Sequence, residues 1–362
     1  MLQVSKPDLT DAELRAFQQV LDTGYLGMGD EVQAFEREIA QYLATERSVV
    51  CTHTGTSALH TALQAIGIGP GDEVLIPTIG YVAAFQAIFV TGAKPVPCDI
   101  CPHNGLIDLE DAKQRVSART RAVVTVHYAG GADNWDDVYT FAQAHGLRVI
   151  EDAAHAFGNQ HKGERIGAKG DVICFSFDPI KNITSGEGGA VVTGDPDVAN
   201  KVFSSRKLGI EARKNDFDVL EKGWRYHMPN MMAAIGRTQL ARFESEIKPL
   251  RLQQIQWYRT MLAEVEEVRI VPQPTDNFLH ILPLCVPEKS RDRIREKLLE
   301  KNFQTTLHYK PNHLLTAFKT DYSLPHSEHF FQQCFSPPLN CEVTEDHIDD
   351  IVHIIKEIII CH

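Results

Sequence analysis

Phe175-Ser176-Phe177-Asp178-Pro179-Ile180-Lys181-Asn182-Ile183-Thr184-Ser185-Gly186-Glu187-Gly188-Gly189 is the stretch on which the reading of this chain turns. It follows the apolar run Asp171–Phe175 and precedes the apolar run Ala190–Thr193. Both read as short buried strands. Between them the chain turns at Pro179 and again at Gly186, Gly188 and Gly189. A lone lysine, Lys181, sits on that turn between apolar neighbours. A loop lysine is ordinarily solvated. One held in a partly dry pocket loses charge stabilisation, its pKa falls, and its amine becomes a nucleophile for a carbonyl. Three features set Lys181 apart: two core strands flank it, Ser176 offers a hydroxyl on the same turn, and a carboxylate motif precedes it.

That motif is Glu151-Asp152-Ala153-Ala154-His155, just after the strand Leu147–Ile150. Upstream, strands and helices alternate: Ser48–Cys51, a helix to about Ile66, Glu73–Pro77, Val82–Thr91, Lys94–Pro97, Leu109–Val116, Ala122–His127, Trp135–Ala144. This alternation predicts a mostly parallel sheet with crossover helices. Ligands in such sheets bind beyond the carboxyl ends of the strands, which is where Asp152 falls. Asp152 is also placed to cap the segment after it. The run Thr52-His53-Thr54-Gly55-Thr56-Ser57 joins a strand to a helix start. Its free N–H groups and helix dipole make an anion site, unless Thr56 merely caps the helix. Tyr81, between a strand and a helix, is either a core aromatic or a platform for a flat ring.

Taken together, Ser176-Phe177-x-x-x-Lys181-Asn182, Gly186-Glu187-Gly188-Gly189 and Glu151-Asp152-Ala153-Ala154-His155 resemble the DegT/DnrJ/StrS family, from about Val4 to about Ile359. The resemblance implies an α/β protein of the fold type I, pyridoxal-phosphate (PLP)-dependent transferase class. It implies a large domain, residues 12–245, with a mostly parallel seven-stranded sheet flanked by helices. A smaller α+β domain would follow over residues 246–362, with residues 1–11 packed near it. The implied activity is an aminotransferase acting on sugars, and the implied cofactor is PLP.

The resemblance also assigns roles. Lys181 holds the cofactor and acts as catalytic base. Gly55, Thr56, Ser57 and Ser176 bind its phosphate, Tyr81 stacks on its ring, Asp152 pairs with its ring nitrogen, and His155 contacts the ring or the substrate. His227, in Gly223-Trp224-Arg225-Tyr226-His227-Met228-Pro229-Asn230, reaches the phosphate of the neighbouring subunit's cofactor, in a pH-sensitive contact. That makes the expected assembly a homodimer with shared sites. His308, Tyr309, Lys310 and His313 resemble the family's nucleotide-sugar segment. Asp178 departs from the family pattern and receives no role, whereas Asn182 and Glu187 read as loop-shaping residues.

The implied donor is L-glutamate and the implied acceptor a nucleotide-linked keto-sugar. The Trp224–Asn230 segment leans toward amination at C-4 of a 4-keto-6-deoxy hexose, for O-antigen, lipopolysaccharide or other amino-sugar synthesis. Alternatives are an aminocyclitol (keto-inositol) aminotransferase, a non-catalytic PLP-binding regulator, and a sugar dehydratase. Dehydratases of the family carry histidine where Lys181 stands. The intact Asp152, Ser176 and Lys181 oppose a mere binding module.

Composition sets outer limits. The chain has 362 residues, is 43% hydrophobic, and carries 36 Lys+Arg against 48 Asp+Glu, a formal net charge of −12. That supports a sizeable core and argues against a nucleic acid polymer as partner. No stretch reaches the roughly 20 apolar residues of a membrane span, so no membrane partner is expected. Eight cysteines are scattered. Cys98-Asp-Ile-Cys101 has CxxC spacing but no second pair and no suitable histidines, so no metal is expected. With no signal peptide apparent, the cysteines read as reduced thiols in a cytoplasmic protein. Further readings are a mobile loop over 206–218, strands at Val268–Val271, Leu279–Val286 and Gln304–His308, and an amphipathic helix in the tail Ile351–Ile360.

Overall fold

Seven apolar runs assemble into one sheet in the computed structural model, which describes residues 1–271 and 277–360. The strands are β1 Ser48–Thr52, β2 Glu73–Pro77, β3 Lys94–Cys98, β4 Thr120–Val126, β5 Arg148–Asp152, β6 Val172–Ser176 and β7 Gly189–Thr193, in the spatial order β1-β7-β6-β5-β4-β2-β3. The pairs β3–β2, β2–β4, β4–β5 and β5–β6 are parallel. Strand β7 runs antiparallel to both its neighbours, so the sheet is mostly parallel, as expected. Cys361 lies outside the described residues.

The strands read as continuous apolar runs because both faces are covered. Successive residues point to opposite faces. Ile173, Phe175, Ala190 and Val192 join one apolar cluster, whereas Val172, Cys174 and Val191 join another. The same alternation separates two adjacent carboxylates on β5. Glu151 is fully buried and accepts from His127 Nε2 at 2.8 Å, Trp135 Nε1 at 3.1 Å and Tyr139 Oη at 2.7 Å. Those three donors compensate its burial. Asp152, one residue on, faces the cavity described below.

Helix α1 (Asp11–Thr23) starts in a capping box in which Thr10 and Glu13 satisfy each other's backbone donors. The helical period puts Leu14, Phe17, Val20 and Leu21 on one face, which is only partly used: Val20 is buried, but Leu14 and Leu21 are exposed. Helix α2 (Asp30–Leu43) buries Val32, Phe35, Ile39 and Leu43, the stripe that the 3.6-residue period predicts. The crossover helices follow as α3 Gly55–Ala65, α4 Ala83–Val90, α5 Leu109–Arg115, α6 Trp135–His145 and α7 Pro196–Ser205.

Past the sheet, α8 (Asn230–Arg242) runs through a π-turn at Phe243–Ile247 into α9 (Lys248–Leu262). The boundary drawn at 245/246 therefore falls within a continuous helical rod. One apolar cluster extends from Val32 and Phe175 to Ile294 and Ile355, across that boundary. Short strands Arg269–Ile270, Leu284–Cys285 and Cys334–Phe335 form a second sheet, accompanied by α10 Glu288–Glu300, α11 Pro325–Gln333 and α12 Glu345–Ile360. The N-terminus pairs with this part of the chain: Leu2 N–H donates to Asn302 O at 2.7 Å, and Leu339 N–H to Val4 O at 2.9 Å.

Three local expectations are corrected. Residues 206–218, read as a mobile loop, carry regular structure and continue into a hairpin, Ile210–Arg213 paired with Asp216–Val219. Leu279–Val286 is a strand only at Leu284–Cys285. Gln304–His308 is not a strand. It makes a single bridge, Thr306 to Ser336, because it bends to line the cavity. Among the described residues no helix is long and apolar enough to cross a membrane.

Candidate active site

A cavity of about 490 Å³ opens at the carboxyl ends of the parallel strands. Asp152 enters it from the end of β5 and Ser176 from the end of β6. Lys181 enters from the loop after β6, and Gly55 and Thr56 from the first turn of α3. Tyr81, His155, His308 and Tyr309 also line it. Residues spread over more than 250 positions of sequence thus meet at one place.

Helix α3 begins here because Thr54 caps it. Thr54 Oγ1 accepts from Ser57 N–H at 3.0 Å, and Ser57 Oγ accepts from Thr54 N–H at 3.1 Å and donates to Thr54 O at 2.8 Å. Two expectations are corrected by this box. The cap is Thr54, not Thr56. And Ser57 is buried with its hydroxyl engaged in the cap, so it does not line the cavity. The N–H groups of Gly55 and Thr56 have no protein acceptor among the described residues. They face the cavity with the positive end of the helix dipole behind them. Gly55 is required by close approach: a Cβ there would stand 2.7 Å from Ser176 Cβ and 2.8 Å from Ser176 Oγ. The Ser176 hydroxyl thus sits directly against the helix start.

The side-chain amine of Lys181 has no hydrogen-bond or ion-pair partner among the described residues, while its main-chain N–H donates to Asp178 O at 3.0 Å. Burial pushes its pKa below the ordinary lysine value, against the opposing charges of Asp152 and Asp178. Asp178, given no role from sequence, therefore lines the cavity and acts on Lys181. Asn182 does shape the loop: its Nδ2 donates to His155 O at 3.3 Å and Phe157 O at 2.9 Å. Glu187 lines the cavity from an exposed position.

Asp152 accepts from Ala154 N–H at 3.2 Å through one oxygen, so the local capping role and the cavity role coexist. Burial raises its pKa; the Ala154 hydrogen bond and the Lys181 charge work against that. Tyr81 is 58% exposed, so it is a rim aromatic and not a core one. Its ring lies 6.0 Å from that of Tyr309. His308 is buried, with Nδ1 2.9 Å from Ser336 Oγ; burial first, and then the Lys181 charge, push its pKa down to about 3.

Three expected residues lie elsewhere in this chain. His313 is buried between Thr78 Oγ1, 2.9 Å from its Nδ1, and Glu328 Oε1, 3.2 Å from its Nε2, and does not line the cavity. Its role is to pin a loop, which corrects the substrate-binding expectation. Lys310 is exposed and outside the lining. His227 bridges to Thr52 and does not line its own chain's cavity. Burial, aided by Arg225, Arg206 and His53, lowers its pKa, so it is neutral at neutral pH. Sequence reasoning missed His280, whose ring lies 4.4 Å from that of His155 at a 37° tilt, and Ala129, whose N–H donates to His155 Nδ1 at 3.3 Å. No local pattern marks either.

The donor set fits PLP. An anion cradle that a Cβ would fill, a buried carboxylate with one oxygen unpaired, an unpartnered amine and a rim aromatic match its phosphate, ring nitrogen, aldehyde and flat ring. Gly55, Thr56 and Ser176 would hold the phosphate, Asp152 the ring nitrogen, and Lys181 the reactive carbon.

Comparison with known proteins agrees. Residues 7–356 match the profile of the DegT/DnrJ/EryC1/StrS aminotransferase family. The chain superposes on the aminotransferase TlmJ of Streptoalloteichus hindustanus with a TM-score of 0.94 and 29% identity, covering 100% of this chain and 99% of that one. It superposes on DesV of S. venezuelae with a TM-score of 0.88 and 33% identity, covering 95% and 93%. For the PLP form of Spr1654 from Streptococcus pneumoniae the values are 0.89 and 25%, covering 98% and 97%.

Proposed function

The chain belongs to the DegT/DnrJ/EryC1/StrS aminotransferase family, and on that premise we propose that it moves an amino group from L-glutamate to a nucleotide-linked keto-sugar, as a homodimer with shared sites. It is a PLP-dependent transaminase. The observation that carries the reading is the convergence of Lys181, Asp152 and the Gly55–Ser176 cradle in one cavity.

Bound PLP supplies an electron sink for negative charge at the carbon that bears the amine. The protein's residues do the rest. Asp152 keeps a proton on the ring nitrogen. Gly55, Thr56 and Ser176 hold the phosphate dianion. Tyr81 covers the ring face by apolar contact. Because burial favours its neutral form, the Lys181 amine is suited to accept a proton from the donor's Cα. In the reverse half it gives a proton back to the carbon that was the ketone. One residue thus serves both halves, which suits its place on a loop rather than in a strand.

The partner subunit's His227 is assigned to the phosphate, as a neutral donor. Amination at C-4 of a 4-keto-6-deoxy hexose is supported by the Trp224–Asn230 segment, and O-antigen, lipopolysaccharide or related amino-sugar synthesis in the cytoplasm is the setting that fits it. His308, Tyr309 and the exposed Lys310 remain assigned to the sugar substrate.

The test is the absorbance spectrum of the purified protein with PLP, before and after L-glutamate. A visible band that glutamate converts to a near-ultraviolet band is expected, and Lys181→Ala should lose the visible band. A wild-type protein with no visible band would sink the Lys181 assignment. A band indifferent to glutamate would remove glutamate as donor. Turnover of a free keto-inositol in place of nucleotide-linked keto-sugars would favour aminocyclitol transfer, and NMR of the product would locate the amine.

A further inference from the structure

Behind the cavity, one strained residue fixes the hydrogen-bond roles of three side chains. Ala129, in the turn Tyr128–Gly130 after β4, has φ +56°. An L-residue in this left-handed region is strained by about 1 kcal/mol or more and persists only where its surroundings hold it. Here they do. Ala129 is fully buried, and at the following Gly130 a Cβ would stand 2.4 Å from Asn159 Nδ2.

The turn aims both polar groups of Ala129 at histidines. Its N–H points at His155 Nδ1, 3.3 Å away, and its carbonyl accepts from the main-chain N–H of His280 at 3.2 Å. A main-chain N–H can only donate, so Nδ1 of His155 is the bare nitrogen and the ring proton sits on Nε2. Burial, with the Lys181, His308 and His127 charges acting in the same direction, drives the pKa of His155 well below the ordinary value, so the ring is neutral. The neighbouring His280 is fixed in the complementary way. Asn182 uses its Nδ2 on two carbonyls and offers its oxygen to His280 Nδ1 at 3.2 Å, which makes that nitrogen the donor.

Nε2 of His155 lies 3.1 Å from Tyr309 Oη. The histidine therefore donates and the phenol accepts. Tyr309 keeps its own proton, since burial, followed by the charge of Asp152, holds its pKa far above the usual value. Tyr309 lines the cavity, and among the described residues its hydroxyl has no protein acceptor. The proton has only the cavity to point into.

We propose that Tyr309 is a fixed hydrogen-bond donor to an oxygen atom of whatever fills the cavity, held in that role by Nε2–H of a neutral His155 that Ala129 locks in one tautomer. The proposal rests on the transaminase reading only for the identity of the oxygen: the ring hydroxyl of PLP, or a carbonyl or hydroxyl oxygen of the keto substrate. His155 and Ala129 act through Tyr309 and are positioning residues.

The tautomer is read directly by long-range ¹H–¹⁵N NMR of the imidazoles in the full-length protein without cofactor, with His155→Gln assigning the resonance. A neutral ring protonated at Nε2 across about pH 6–8 is expected. A ring protonated at Nδ1, or an imidazolium, overturns the proposal whatever the enzyme does. Failure of the transaminase reading shows separately, as a wild-type protein that forms no visible band with PLP.

Tyr309→Phe then identifies the oxygen. If it belongs to the cofactor, the visible band shifts and PLP binds about tenfold more weakly. If it belongs to the substrate, the band stays and KM for the keto-sugar rises about tenfold. No change in either overturns the proposal. His155→Gln can accept from Ala129 and donate to Tyr309, so it should stay within about threefold of wild type, whereas His155→Leu should reproduce the Tyr309→Phe loss. In Tyr309→Phe, adding His155→Leu should lose nothing further. Additive losses would mean that His155 acts by another route.

Discussion

At the scale of single residues, Gly55 gives the sharpest prediction. A side chain there meets Ser176 Cβ at 2.7 Å, closer than packed atoms come, so Gly55→Ala forces apart the two walls of the anion cradle. Overpacking of this kind costs about 1–3 kcal/mol. Because it falls on the binding surface, PLP affinity should drop about tenfold or more, measured by titration of the visible band. Unchanged affinity would place the phosphate elsewhere. Lys181, Asp152 and Ser176 were legible in the sequence because each lies within a few residues of a strand end that its own apolar run announces. Ala129 and His280 were not. Ala129 is one of many small residues, and its role comes from a backbone angle. His280 comes to lie against His155 only because two distant segments are folded together. The same blindness explains His313 and Ser57, whose polar side chains looked available but are engaged by Thr78, Glu328 and Thr54.

Elements were legible where one period ran long enough. Helix α2 buries the four residues its stripe predicts, and the sheet strands fall within about two residues of their apolar runs. The misses have physical causes. Ile210–Arg213 and Asp216–Val219 pair as a hairpin and do alternate apolar with charged residues, but each run is only four residues long and mostly exposed, too short to announce a strand. Gln304–His308 makes one bridge, Thr306 to Ser336, and one further backbone bond, from Gln304 N–H to Leu2 O, too few to form a strand. Helix α3 matters most to the site, because its N-terminus is the cradle. Thr54→Ala removes the acceptor of Ser57 N–H and leaves that donor unsatisfied. It should lower stability to denaturant by about 1 kcal/mol. It should also weaken PLP binding, since Gly55 and Thr56 are the next residues of the same turn. A stability loss with unaltered PLP affinity would separate the cap from the cradle.

For the molecule as a whole, α1 and α8 are joined through one carboxylate. Glu13 accepts from Thr10 N–H at 2.7 Å and Thr10 Oγ1 at 2.8 Å within its own capping box, and from Gln239 Nε2 and Arg242 Nη1, both at 2.8 Å, across the interface. Burial alone would raise its pKa. The hydrogen bonds from Thr10, Gln239 and Arg242 outweigh burial and bring it down to about 2. A carboxyl whose pKa is lower folded than unfolded contributes stability above its unfolded pKa, near 4.5, and loses it as pH falls toward 2. The contribution at neutral pH is on the order of 2 kcal/mol after screening at the partly hydrated edge of α1 is discounted. Glu13→Gln keeps a neutral acceptor for Arg242 and removes the charge. It should therefore be less stable than wild type at about pH 7, by that amount, and the gap should narrow as pH is lowered from about 5 and close only near pH 2. Denaturant unfolding at several pH values measures this. A gap that stays constant with pH would mean that Gln fails for reasons of shape, and that the charge of Glu13 does not hold the N-terminal helix to the rest of the fold.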